Sequence, residues 1–161
     1  MGLDIGVSAE HHGGMTETRT SSPTPRLRQF VLDAEDSRAL AEFYHHLTGL
    51  PYIAGDEPRT DGAPEGSNAN FLVLTDADGV RRLAFQKVPS MPAPTWPEGP
   101  RPQMMHLDFE VASDAELQAV RQRALDLGAT ILDDRADDAD ERLIVFADPA
   151  GHPFCVFIPA G

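Results

Sequence analysis

Residues 32–50 read LDAEDSRALAEFYHHLTGL, and residues 105–134 read MHLDFEVASDAELQAVRQRALDLGATILDD. Both stretches pass from an extended apolar segment through a capping residue into a helical pattern that a glycine stops. In the first, residues 27–34 alternate as a strand. Asp36 or Ser37 can cap the helix, Leu40, Phe43, Tyr44 and Leu47 recur at helical spacing, and Gly49 closes it. In the second, residues 104–111 form the strand and Ser113 or Asp114 caps. Leu117, Val120, Ala124 and Leu127 share one side, and Gly128 ends the helix.

Three extended segments follow each helix. After Gly49 come a short piece at residues 50–53, a polar loop, and the strands NFLVLT and RRLAFQKV joined by the turn DADG at residues 76–79. After Gly128 come ATILDD, ERLIVFAD and PFCVFIP. The order β, α, β, β, β therefore occurs twice, and such a repeat of architecture predicts pseudo-symmetric packing. Between the copies, residues 89–102 (PSMPAPTWPEGPRP) hold too much proline for a regular helix or central strand and are expected to link the modules. The expected organisation is a flexible tail over residues 1–25 and one α+β domain over 26–161. Module one covers 27–88, the proline-rich linker 89–102 and module two 103–159.

Bulk properties narrow the partners. The chain has 161 residues, enough for one domain with a true core. With 26 acidic against 13 basic side chains, its formal net charge of -13 repels phosphate backbones and anionic membranes. Nucleic acid and membrane surfaces are thus not the expected partners. The single cysteine, Cys155, forms no intramolecular disulfide, and a cytoplasmic setting is expected. The first 25 residues contain no apolar run of signal-peptide or membrane-span length. His11 and His12 read as tail residues, and Met15 is a second candidate start.

The segments LDAEDSRALAEFYHHLTGL, LAFQKVP, MHLDFEV, LGATILDD and FADPAGHPFCVF together resemble the glyoxalase/bleomycin-resistance/dioxygenase, or vicinal oxygen chelate, superfamily. They look like the glyoxalase-like branch of actinobacterial type. The sharpest piece is residues 148–154, DPAGHPF, whose local role is turn chemistry before the last strand. The resemblance implies two βαβββ modules forming a cup-shaped mixed sheet with helices outside, the cup being the active or binding site. It also implies, in metal-dependent members, a histidine on each first strand and a glutamate on each fourth. At those positions this chain offers Gln29, Gln86, His106 and Cys155. Only His106 matches, and this set brings no carboxylate charge, so no cofactor is expected; a bound divalent metal is the lesser alternative.

Strand alternation puts Gln29, Val31 and Asp33 on one face and His106, Asp108 and Glu110 on another. Leu107, Phe109 and Val111 then pack beneath the helices. Gln29, Val31, Asp33, Gln86, His106, Asp108 and Cys155 are accordingly the expected ligand-binding residues, with Trp96 of the linker as a lid over an aromatic or planar ligand. His106 with Asp108 is the candidate catalytic pair, since a carboxylate beside an imidazole fixes its tautomer. Glu110 reads as a rim residue, His45 and His46 as surface residues of the first helix, and Cys155 as a small buried hydrophobe. The acidic run at residues 133–141 lacks the spacing of a calcium loop and reads as a solvated hairpin loop. Two functions follow. The first is binding of a small organic molecule in the cup or between the subunits of a homodimer, without the usual metal. The alternative is an enzyme, a lyase, isomerase or dioxygenase, working with a metal or through His106 and Asp108.

Overall fold

The computed structural model describes residues 25–63 and 65–159. The expected tail over residues 1–25, with His11 and His12, lies outside the described residues except for Pro25. Among the described residues, seven strands and two α-helices follow in order, with a short 3-10 helix at Ser67–Asn70 before β2: β1 (Phe30–Ala34), α1 (Ser37–Thr48), β2 (Phe71–Thr75), β3 (Arg81–Lys87), β4 (Leu107–Glu110), α2 (Asp114–Asp126), β5 (Thr130–Arg135), β6 (Leu143–Ala147) and β7 (Pro153–Phe157).

Each helix begins and ends where local chemistry requires. The Asp36 carboxylate accepts from the Ala39 amide at 2.9 Å, satisfying one of the free donors of the first turn of α1. At the other end Gly49 takes a left-handed conformation, φ 76°, and its N–H reaches the His45 carbonyl at 2.9 Å. For α2 the cap is Ser113, whose hydroxyl accepts from the Glu116 amide, while the Glu116 carboxylate reaches back to the Ala112 amide at 2.8 Å.

The strands form two mixed sheets, ordered β1-β3-β2 in module one and β4-β7-β6-β5 in module two. In each, the first strand runs parallel to the last strand of its module, β1 beside β3 and β4 beside β7. The expected extended piece at residues 50–53 is reduced to one bridge, Tyr52 opposite Leu74, because only Ile53 and Thr75 add backbone bonds to it. With that bridge on the outer side of β2, the two sheets share one order. The expected strand over residues 104–111 is shorter than its sequence pattern, β4 starting at Leu107, so His106 lies just before it.

Among the described residues, one core joins the modules. Leu40, Ala41, Phe43, Tyr44 and Leu47 of α1 are buried together with Leu32, Leu72, Leu74 and Phe85 of the first sheet and Ile144, Phe146, Phe154 and Val156 of the second. Tyr44 is its hub, stacked on Phe85 at 5.6 Å and meeting Phe154 at 6.2 Å and Phe109 at 6.4 Å. Its hydroxyl donates to Asp148 Oδ2 at 2.9 Å, tying the helix of module one to the last turn of module two. The Asp148 carboxylate also accepts from the amides of Ala150 and His152. The Asp-Pro turn is therefore a joint between modules as well as a local bend.

Candidate functional site

Strands β1 and β4 each form one edge of their sheet. Along β1, alternation sends Leu32 and Ala34 into the core and leaves Val31 and Asp33 exposed; along β4, Leu107 and Phe109 pack on the core and Asp108 and Glu110 are exposed. Val31 and Asp33 flank a groove of about 510 Å³, lined with them by Gln86 from module one and by Met105, His106 and His152 from module two. His152 Nε2 lies 2.7 Å from the Asp33 carbonyl oxygen, holding the 148–152 turn against β1.

A second cavity, of about 550 Å³, adjoins it on the module-two side and is lined by Asp108, Asp140, Glu141 and Cys155. His106 borders both. Its Nε2 lies 3.3 Å from Asp108 Oδ1, and the indole of Trp96 meets its ring edge-on, with centroids 5.7 Å apart and planes at 82°. Asp108 stands directly beside Cys155 across the parallel β4–β7 ladder, as Asp33 stands beside Gln86 across β1–β3. Burial, reinforced by the adjacent Asp108 carboxylate, pushes the Cys155 thiol up to about 11. The thiol is thus protonated at neutral pH and is no ready nucleophile.

The structure brings together Val31, Asp33, Gln86 and His106 in one groove and His106, Asp108 and Cys155 in the other, with Trp96 on His106. Gln29 differs from expectation. It precedes β1 and lines a third groove, of about 380 Å³, with Phe30, Arg81 and Asp108, and its buried Oε1 has no hydrogen-bond partner among the described residues. Taking Gln86 and Cys155 as equivalent, the ladders pair Val31, not Gln29, with His106. The donor set also changes, because Asp108 supplies the carboxylate that Gln29, Gln86, His106 and Cys155 lack. His106 Nε2, an Asp108 oxygen and Cys155 Sγ all lie within 4.8 Å of one another.

Other residues stand outside the groove of Val31, Gln86 and His106. Glu110 is exposed at the end of β4, and Arg82 is held by Asp76 at 2.6 Å. His45 Nδ1 lies 2.7 Å from the Leu50 carbonyl oxygen, whereas His46 is exposed beside Glu42. In the acidic run, Asp138 accepts from the amides of Asp140 and Glu141 and so closes a loop of its own. Met105 and His152 line the first groove without having been singled out in the sequence, the turn motif being the available signal for His152, and Asp140 and Glu141 of the acidic run line the second cavity.

A model of the glyoxalase-like domain family matches residues 29–157. Among solved structures, a glyoxalase/dioxygenase from Nostoc punctiforme is similar at a TM-score of 0.58 and 18% identity, covering 88% of this chain and 98% of its own. A genomically encoded fosfomycin resistance protein from Listeria monocytogenes gives a TM-score of 0.58 at 16% identity, covering 86% of this chain and 96% of its own. A mutant of that protein complexed with Mn(II) and dihydroxypropylphosphonic acid gives 0.59 at 17% identity, with coverages of 86% and 95%. At these identities the likeness is one of fold. No curated protein matches the sequence.

Proposed function

The chain belongs to the glyoxalase-like domain family, and from that premise we propose that it binds a small organic molecule in the groove between its two modules, without the metal set of the metal-dependent members. The observation that carries this reading is the groove itself. Its volume of about 510 Å³ falls in the range of small-molecule sites, and its wall mixes Val31 and Met105 with a few polar groups, Asp33, Gln86, His106 and His152.

The residues present do not fit a metal shared between the modules. Among the described residues, the one group of three His, Cys, Asp or Glu donors close enough to hold an ion lies wholly in module two. Module one contributes Val31 opposite Ala84 and Asp33 opposite Gln86, where that set would need a histidine and a glutamate. Binding through shape and hydrogen bonds needs neither.

A second reading has one observation in its favour. The 3.3 Å contact of His106 with Asp108 would orient the imidazole for proton transfer to a bound substrate, making the protein a metal-free enzyme. A thermal-shift screen of planar and aromatic small molecules tests the binding reading. Hits should stabilise the wild-type protein and lose their effect in His106→Ala and Gln86→Ala. The enzyme reading adds turnover of a hit that His106→Ala abolishes, and unchanged turnover removes it.

The proposal includes a cytoplasmic homodimer. Its support is the apolar surface of Leu27, Phe30 and Val80, which are 78%, 42% and 51% exposed around the third groove. No helix among the described residues is long and apolar enough to cross a membrane.

A further inference from the structure

We propose that His106 Nε2, Asp108 Oδ1 and Cys155 Sγ form a site, contained in module two, for a thiophilic divalent cation of the zinc class. The inference goes beyond ligand binding in the inter-module groove and does not depend on it.

Geometry carries the argument. The three donor atoms lie within 4.8 Å of one another, and His106 Nε2 is already 3.3 Å from Asp108 Oδ1. Tetrahedral zinc takes nitrogen and oxygen at about 2.0–2.2 Å and sulfur at about 2.3 Å, which sets its ligands roughly 3.3–3.8 Å apart. Small side-chain rotations therefore close the set. The strands bring two of the donor residues side by side, since Asp108 and Cys155 are direct neighbours across the β4–β7 ladder. His106 sits two residues before Asp108 on the same face, and the edge of Trp96 holds its ring.

The donor types select the ion. A nitrogen, an oxygen and a sulfur suit zinc or cobalt, whereas manganese and magnesium prefer oxygen ligands throughout. Asp140 and Glu141 on the same cavity wall add negative charge, offset in part by Arg135, 3.5 Å from Glu141. On binding, the metal–sulfur bond forms as the S–H bond breaks, and the thiol proton leaves to solvent. Three protein ligands leave the fourth position open toward a cavity of about 550 Å³, where water or a small ligand can coordinate.

The test uses the full chain, freed of metal with a chelator and kept reduced with a phosphine, titrated with Co(II). One equivalent should produce a sulfur-to-cobalt charge-transfer absorption. Cys155 is the only cysteine, so that band reports this site alone. Zn(II) should displace cobalt, and Mn(II) and Mg(II) should not. Cys155→Ser should lose the band. The more exposed His106→Gln and Asp108→Asn, which leave the buried core intact, should weaken cobalt binding at least tenfold. Absence of the sulfur band from the wild-type protein, cobalt affinity unchanged in His106→Gln, or displacement by Mn(II) as readily as by Zn(II) would overturn the proposal.

Discussion

Replacing Tyr44 by phenylalanine removes one oxygen atom from the centre of the core. The ring is fully buried and keeps its contacts with Phe43, Phe85 and Phe154, so packing is preserved. What disappears is the 2.9 Å bond from the phenol to Asp148 Oδ2. Asp148 is only 4% exposed and keeps its two amide donors, both on Oδ1, while Oδ2 loses the phenol. A hydrogen bond to a charged group is worth about 1.5–3 kcal/mol, equivalent to roughly 5–10 °C of melting temperature in a domain of this size. The loss depends on pH with a definite sign. Burial holds the Asp148 carboxyl above the usual carboxylate range, against the opposing pull of His152, Tyr44 and the turn amides. A group whose folded pKa is raised contributes stability that is present below its unfolded pKa and disappears as pH rises through the folded one. Ionised Asp148 is thus costly to the fold at neutral pH, where the phenol offsets part of that cost. Urea denaturation of Tyr44→Phe should show the full deficit at about pH 7.5 and a smaller one as pH falls through the folded pKa of Asp148. Equal stability of the two proteins at neutral pH, or a deficit that stays constant on acidification, would refute the joint between the modules.

Three further predictions concern the frame and the thiol. Gly49→Ala should cost about 1 kcal/mol in thermal unfolding, since φ is 76° and nothing stands within 4 Å of the added methyl group. Gly151→Ala should cost more, about 2 kcal/mol or above, because φ is 97° and the new atom would meet Ala93 Cβ at 2.5 Å, forcing the linker off the turn. In the metal-free protein, Cys155 should alkylate slowly at neutral pH. With the thiol at about 11 against an ordinary 9.0, thiolate is roughly a hundredfold scarcer, and Asp108→Asn should speed the reaction when followed with iodoacetamide.

What could be read from the sequence was local. The caps Asp36 and Ser113, the stop at Gly49 and the apolar stripe of Leu40, Phe43, Tyr44 and Leu47 act within a few residues of themselves, and they mark both modules. The site needed pairings between distant residues. Gln29 and His106 stand at equal distances before their helix caps, which makes them look equivalent, yet the ladders set Val31 in that role. The carboxylate of Asp108 joins Cys155 only because β4 runs parallel to β7, and no spacing within either segment reports that neighbour. The dual role of Asp148 was hidden for a like reason: its partner Tyr44 is 104 positions away.

The reading of the site rests on a small molecule occupying the groove of Val31, Gln86 and His106. A crystal structure of the protein with a thermal-shift hit tests it most directly. Ligand density is expected between Val31, Gln86 and His106, with a polar ligand atom within hydrogen-bond distance of Gln86 or His106. Density lying instead in the groove that Leu27, Phe30 and Val80 form with Leu107 and Phe109, with none beside Val31, Gln86 and His106, would refute it.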